Sequence, residues 1–197
     1  MLVYLRHSFM KTVFLLRHGQ TEDNRKKIIQ GQGDSPLTSE GIKSIKKRAA
    51  KLKEIIFDAI YCSPLGRAKS SMKILLKELN QNTKIVFSDE IQEIDFGKYT
   101  KNNINKMIGI IHEHKKNTSK PYPGGESGDM FNERVLYFMN NFVLNNEGNC
   151  FLVITHFGVI ETILRHYNNL SYEDICSNKD SIIRLSFNEN NVELMFL

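Results

Sequence analysis

Thr12-Val13-Phe14-Leu15-Leu16-Arg17-His18-Gly19 is the stretch on which the fold turns. A short apolar run without polar alternation reads as a strand buried on both faces. It stops abruptly at a cation, an imidazole and a glycine, which places reactive groups at a strand end. Two later runs repeat the pattern: Ala59–Cys62 breaks at Ser63-Pro64 with Arg67 close behind, and residues 151–155 end at His156. Lys84–Phe87 reads as a further strand. Between these runs the period lengthens. Over residues 39–56, Ile42, Ile45, Ala49, Leu52 and Ile56 recur at helical steps, with Thr38 or Ser39 as cap. Residues 65–80, 100–115 (with poor caps), 130–144 and 159–167 also read as helices. Residues 117–129, holding Pro121, Pro123, Gly124, Gly125 and Gly128, read as a loop. Ile182–Phe187 and Val192–Phe196 read as a hairpin turning at 188–191. This alternation predicts an α/β fold in three α/β/α layers, with a mostly parallel central sheet and a terminal antiparallel hairpin. Ligands of such sheets gather at the carboxyl ends of strands, where the three polar strand ends fall.

A chain of 197 residues with 41% hydrophobic and 25% charged side chains fits one domain over residues 1–197. A net charge of +5 suits an anionic partner. The lysines at 26, 27, 43, 46, 47, 51, 53, 115 and 116 alternate with apolar positions as a solvated helix face does, which argues against nucleic acid. No run approaches the ~20 apolar residues of a membrane helix, so no membrane role is expected. Cys62, Cys150 and Cys176 are few, scattered and partly within apolar runs, so they are expected as thiols in a reducing cytoplasm. Residues 1–9 read as a dispensable extension before Met10, and Arg6-His7-Ser8 as a chance echo of Arg17-His18-Gly19. His112 and His114 stand two residues apart, on different faces of a helix, so a solvated surface is expected there and no metal pair. His166 is expected to be structural or exposed.

A phosphate monoester dianion repels nucleophiles, and its hydrolysis is among the slowest of biological reactions. A catalyst must neutralise the charge, attack phosphorus and protonate the leaving oxygen. His18 can attack if one ring nitrogen is unprotonated. Arg17 and Arg67 offer planar forks for the phosphoryl oxygens, and His156 a third cationic donor. Gly19 leaves room for the phosphate, and Asn24 adds an amide donor. Glu93, among apolar neighbours in Gln92-Glu93-Ile94-Asp95-Phe96-Gly97, is expected to have a raised pKa and to act as general acid.

Arg17-His18-Gly19-Gln20-Thr21-Glu22, with Asn24 and Gln30-Gly31, resembles the signature of the histidine phosphatase superfamily, the phosphoglycerate-mutase-like phosphatases. The remaining blocks follow in order: Pro36-Leu37-Thr38 before Gly41, Ser63-Pro64-Leu65 with Arg67-Ala68, Glu93 with Phe96-Gly97, Gly124-Gly125-Glu126-Ser127, and Thr155-His156 with Gly158-Val159-Ile160. The resemblance implies a phosphoglycerate mutase-like fold and a phosphohistidine at His18. Arg17, Asn24, Arg67 and His156 would hold the phosphoryl group, and Thr21, Gln30, Gly31 and Phe157 would line the substrate. Glu93 would protonate the leaving alcohol and then activate water. No metal or organic cofactor is implied, and the partner is a small phosphorylated metabolite.

The sequence departs from the family pattern at Asp23 (commonly Trp), at Phe157 (often Gly), at Glu161 (often Arg) and at Tyr99-Thr100. Only about 27 residues separate the Gly97 and Gly124 blocks, without the longer insertion and Arg-Arg stretch of the mutases. The chain therefore looks more like the α-ribazole-phosphate phosphatases of cobalamin biosynthesis. A 2,3-bisphosphoglycerate-dependent mutase and a catalytically silent phosphate-binding member are the alternatives. Glu126 and Ser127 either touch substrate or close their loop, and whether the chain pairs as a homodimer stays open.

Overall fold

The computed structural model describes residues 10–189 and 191–197. The expected extension at 1–9 and its Arg6-His7-Ser8 echo lie outside the described residues.

One sheet organises the chain. Strands β1 (Lys11–Arg17), β2 (Ala59–Cys62), β3 (Lys84–Phe87), β4 (Cys150–Thr155), β5 (Ile182–Phe187) and β6 (Val192–Phe196) form it in the order β3-β2-β4-β1-β5-β6. The first four pair in parallel, while β5 runs antiparallel to both β1 and β6. This is the mixed sheet expected from the apolar runs.

Successive residues of β1 face opposite ways, as the strand period requires. Val13 and Leu15 join one core cluster, Phe14 and Leu16 the other. Helices α2 (Ser39–Leu52) and α3 (Gly66–Leu79) cover the second face. Helices α5 (Gly128–Phe138) and α6 (Phe157–Asn168) cover the first. Each fully buried Leu or Ile in these layers contributes about 1.5–3 kcal/mol of transfer free energy.

Three expectations need correction. Helix α2 ends at Leu52, and Ile42 and Ile56 are exposed, while Arg48 is buried on its inner face instead. The helix expected over 130–144 changes from α5 to a π-helical turn at Met139–Leu144. Asn103 caps α4 (Ile104–Lys116) by accepting from the Asn105 amide, so that helix is not poorly capped. Two short helices carry no clear apolar period and escaped the sequence reading: Glu22–Arg25 (α1) and Tyr172–Ser177 (α7). Among the described residues, no helix is long and apolar enough to cross a membrane.

Candidate active site

The ends of β1, β2 and β4 meet side by side because Arg17 pairs with Thr155, and Cys62 with Ile154. Parallel pairing thus delivers His18, Ser63 and His156 to one edge of the sheet. The rings of His18 and His156 lie 5.2 Å apart between centroids.

Hydrogen bonds fix the tautomer of His18. Its Nδ1 lies 2.8 Å from the Gly19 carbonyl, which only accepts, so Nδ1 carries the proton. Its Nε2 accepts from Arg67 Nε–H at 3.2 Å, and a guanidinium only donates, so Nε2 keeps its lone pair. Burial is the main cause holding the His18 pKa well below the ordinary histidine value, and Arg17 and Arg67 add to it. The ring is neutral, and its unprotonated nitrogen is the one that faces Arg67. Ser71 of α3 accepts from the Gly19 amide at 2.9 Å and donates to the Arg67 carbonyl at 2.8 Å, tying the two residues to one helix.

Arg67 is itself buried and held by backbone. It donates to the carbonyls of Gly33 at 2.6 Å and Gly31 at 2.7 Å. Gly31 adopts φ +49°, a left-handed conformation that suits glycine and turns its carbonyl toward Arg67. Gly31 therefore positions the clamp. Thr21 and Gln30 are buried and bonded to each other at 3.0 Å, so they brace the loop. Asn24 accepts from the Thr21 amide through Oδ1, which leaves its Nδ2 as the donor.

His156 Nε2 sits 2.7 Å from Ser63 Oγ. Burial first, then Arg67 and His18, push its pKa well below the ordinary value. Burial and these neighbouring charges favour the neutral ring over the cationic donor expected from the sequence. Ser63 Oγ also accepts from the Leu65 amide at 3.4 Å. His156 Nδ1 and Arg17 Nε are both buried without a hydrogen-bond partner. Buried polar atoms are nearly always paired, so these two nitrogens are open hydrogen-bonding positions at this edge.

Glu93 reaches the same edge from the loop after β3. Its carboxylate accepts from its neighbour Ile94 N–H at 3.0 Å and from Gly158 N–H, in the first turn of α6, at 3.3 Å. A Cβ at Gly158 would lie 2.4 Å from Glu93 Oε1, so this approach needs glycine. Arg134 holds the loop from behind by donating to the Glu90, Gln92 and Glu93 carbonyls and forking onto Glu126 at 2.6 and 3.0 Å. Glu126 also accepts from the Asp95 amide, and Ser127 caps α5. Both residues close the loop.

Two consequences are measurable. An Arg134→Met variant removes the ion-pair partner of Glu126 and the donor to three carbonyls, and is expected to lower unfolding free energy by about 2–3 kcal/mol in a urea titration. The histidines set a pH dependence. Unfolded, both bind protons below about pH 6.5, while the native rings resist protonation. Stability contributed by neutral His18 and His156 is thus present above about pH 6.5 and lost as pH falls below it, by up to about 1.4 kcal/mol per pH unit for each ring. Urea midpoints between neutral and mildly acidic pH should show this slope, and His156→Asn should reduce it.

Residues 13–197 match the histidine phosphatase superfamily, branch 1. The chain belongs to that superfamily. A 2,3-bisphosphoglycerate-dependent phosphoglycerate mutase of Parvibaculum lavamentivorans is 31% identical over 171 residues, covering 82% of this chain and 81% of its own. A probable phosphatase of Schizosaccharomyces pombe is 31% identical over 157 residues, covering 79% of this chain and 72% of its own. The solved structure of a putative α-ribazole-5′-phosphate phosphatase of Escherichia coli superposes with a TM-score of 0.78 over 95% of each chain, at 21% identity, and shares the fold.

The departures from the superfamily pattern have local explanations. Phe157 does not block the edge: its ring packs on the core, 5.6 Å from the Arg17 guanidinium and edge-on to Tyr172. Asp23 pairs with Lys101 at 2.5 Å. Glu161 pairs with Lys115 at 3.0 Å and Arg165 at 3.1 Å. Tyr99 packs edge-on to Tyr122. His114 corrects another expectation: it is buried and stacked 4.1 Å from Tyr122, not on a solvated face, whereas His112 and His166 are exposed. Among the described residues, no group of three or more His, Cys, Asp or Glu side chains could hold a metal ion.

Proposed function

We propose that this chain is a phosphomonoesterase that works through a phosphohistidine at Nε2 of His18. The observation that carries this reading is the unprotonated Nε2 of His18, held by Arg67, at an edge where Arg17 Nε and His156 Nδ1 are buried without partners. The lone pair attacks phosphorus as the ester P–O bond breaks. Glu93 gives its proton to the departing oxygen. Water then attacks the phosphohistidine, Glu93 takes the proton back, and the P–N electrons return to Nε2. Arg17, Arg67, His156 and Asn24 hold the phosphoryl oxygens, and the bound dianion favours a second proton on His156.

The substrate in this reading is a small cytoplasmic phosphorylated metabolite. The fold shared with a putative α-ribazole-5′-phosphate phosphatase supports placing α-ribazole 5′-phosphate first among the candidates. The mutase reading draws on the 31% identity to a phosphoglycerate mutase. One experiment separates them. The protein is given 3-phosphoglycerate with 2,3-bisphosphoglycerate primer, and in parallel α-ribazole 5′-phosphate and phosphosugars. Net release of inorganic phosphate supports the phosphatase. Primer-dependent isomerisation without release overturns it. No phosphoenzyme with any substrate would leave a silent binding member.

A further inference from the structure

Ser44, Lys47, Arg48 and Lys51 recur along α2 at steps that place them on one face. They form one wall of a cavity of about 290 Å³. Ser177, Asp180 and Ser181, from the end of α7 and the turn after it, stand opposite. None of these residues belongs to the His18 site. Arg48 alone connects the two, donating to the Arg17 carbonyl at 2.8 Å from behind the nucleophile.

The charges in this cavity are unbalanced. Arg48 is 5% exposed, yet it makes no ion pair among the described residues and bonds only to the carbonyls of Arg17 and Ser44. Its facing charge is Asp180 of the same cavity, beyond ion-pair distance, and a buried cation so loosely compensated is costly. Lys47 and Lys51 are exposed at the rim, also without ion pairs among the described residues. Asp180 is the acidic side chain of the lining. Three cations and three serine hydroxyls around one acidic side chain fit a group with several charged oxygens, attached to something that carries a hydroxyl.

We propose that this cleft is a second phosphate-binding site, in which Lys47, Arg48 and Lys51 take the phosphate of a small ligand, the serine hydroxyls donate to it, and Asp180 accepts from a ligand hydroxyl. The ligand is free phosphate or a small hydroxylated organic phosphate. The site stands independently of the catalytic reading.

Arginine Nε–Hε NMR correlations test it, with inorganic phosphate titrated into the full chain. Arg48 is expected to shift saturably. A Lys47→Ala/Lys51→Ala variant, altered only at exposed positions, is expected to weaken that response by about tenfold or more and to leave the Arg17 and Arg67 responses unchanged. No Arg48 response when Arg17 and Arg67 are saturated, or an Arg48 response that the double variant leaves intact, overturns the proposal. A shift at Arg48 without one at Arg17 and Arg67 upholds this site and counts against the catalytic reading instead. Glycerol phosphate, titrated into His18→Ala protein to prevent turnover, separates the ligand sources. Binding that is tighter than phosphate and lost in Asp180→Asn identifies the organic ligand, whereas equal binding identifies free phosphate.

Discussion

Replacing His18 with Ala will lower hydrolysis of p-nitrophenyl phosphate by about 10⁵-fold or more, since loss of a nucleophile removes a whole covalent pathway. Little unfolding should accompany it, because the variant also loses the cost of burying an imidazole among Arg17, Arg67 and Arg48. Rapid quenching of wild-type protein with labelled substrate should trap an acid-labile phosphoprotein that the variant cannot form. Residual turnover within about tenfold of wild type would remove His18 from the mechanism. The acid limb of kcat/KM adds a check. A nucleophile held neutral by burial should stay competent well below pH 6.5, so activity at mildly acidic pH should fall little.

The second large effect is at Glu93. Its conversion to Gln keeps one acceptor oxygen for one of the Ile94 and Gly158 amides, which bond to different carboxylate oxygens, and removes the exchangeable proton. The rate should fall by about 10²–10⁴-fold for alkyl phosphates, whose leaving oxygen needs protonation. Aryl phosphates with acidic phenols should lose far less in the phosphorylation step. A leaving-group series measured by single turnover separates proton donation from mere positioning. A uniform loss across the series would mean that Glu93 only shapes the pocket.

Much of this was legible in the sequence. The strands of the sheet are short and bounded by turn residues, so Ala59–Cys62, Lys84–Phe87 and the hairpin strands appear with the bounds expected. His18, Arg67 and His156 gather because parallel pairing aligns strand ends, which the alternation of strands and helices implies. What escaped was buried charge. Arg48 sits in the apolar stripe of α2 with Ile45, Ala49 and Leu52, and that register was the signal that it turns inward. His114 likewise lies seven residues after the buried Met107. Arg134 left little trace, because beside the Glu126 carboxylate its partners are the backbone carbonyls of Glu90, Gln92 and Glu93. Backbone partners have no sequence signature. The neutral state of His156 was hidden for a related reason: burial depends on packing that composition does not record.

The contact between Glu93 and Gly158 also shapes how this chain tolerates change. Position 157 directs its side chain onto the core beside Arg17, where a ring is accommodated. Position 158, one peptide later, meets a carboxylate oxygen before it can add a single carbon. In a saturation library selected for phosphate release, the two neighbours should behave oppositely. Residue 157 should accept small and aromatic replacements, whereas residue 158 should favour glycine, because any added carbon displaces the Glu93 carboxylate from its present seat. Drift at the first and arrest at the second would be the mutational shadow of one oxygen atom.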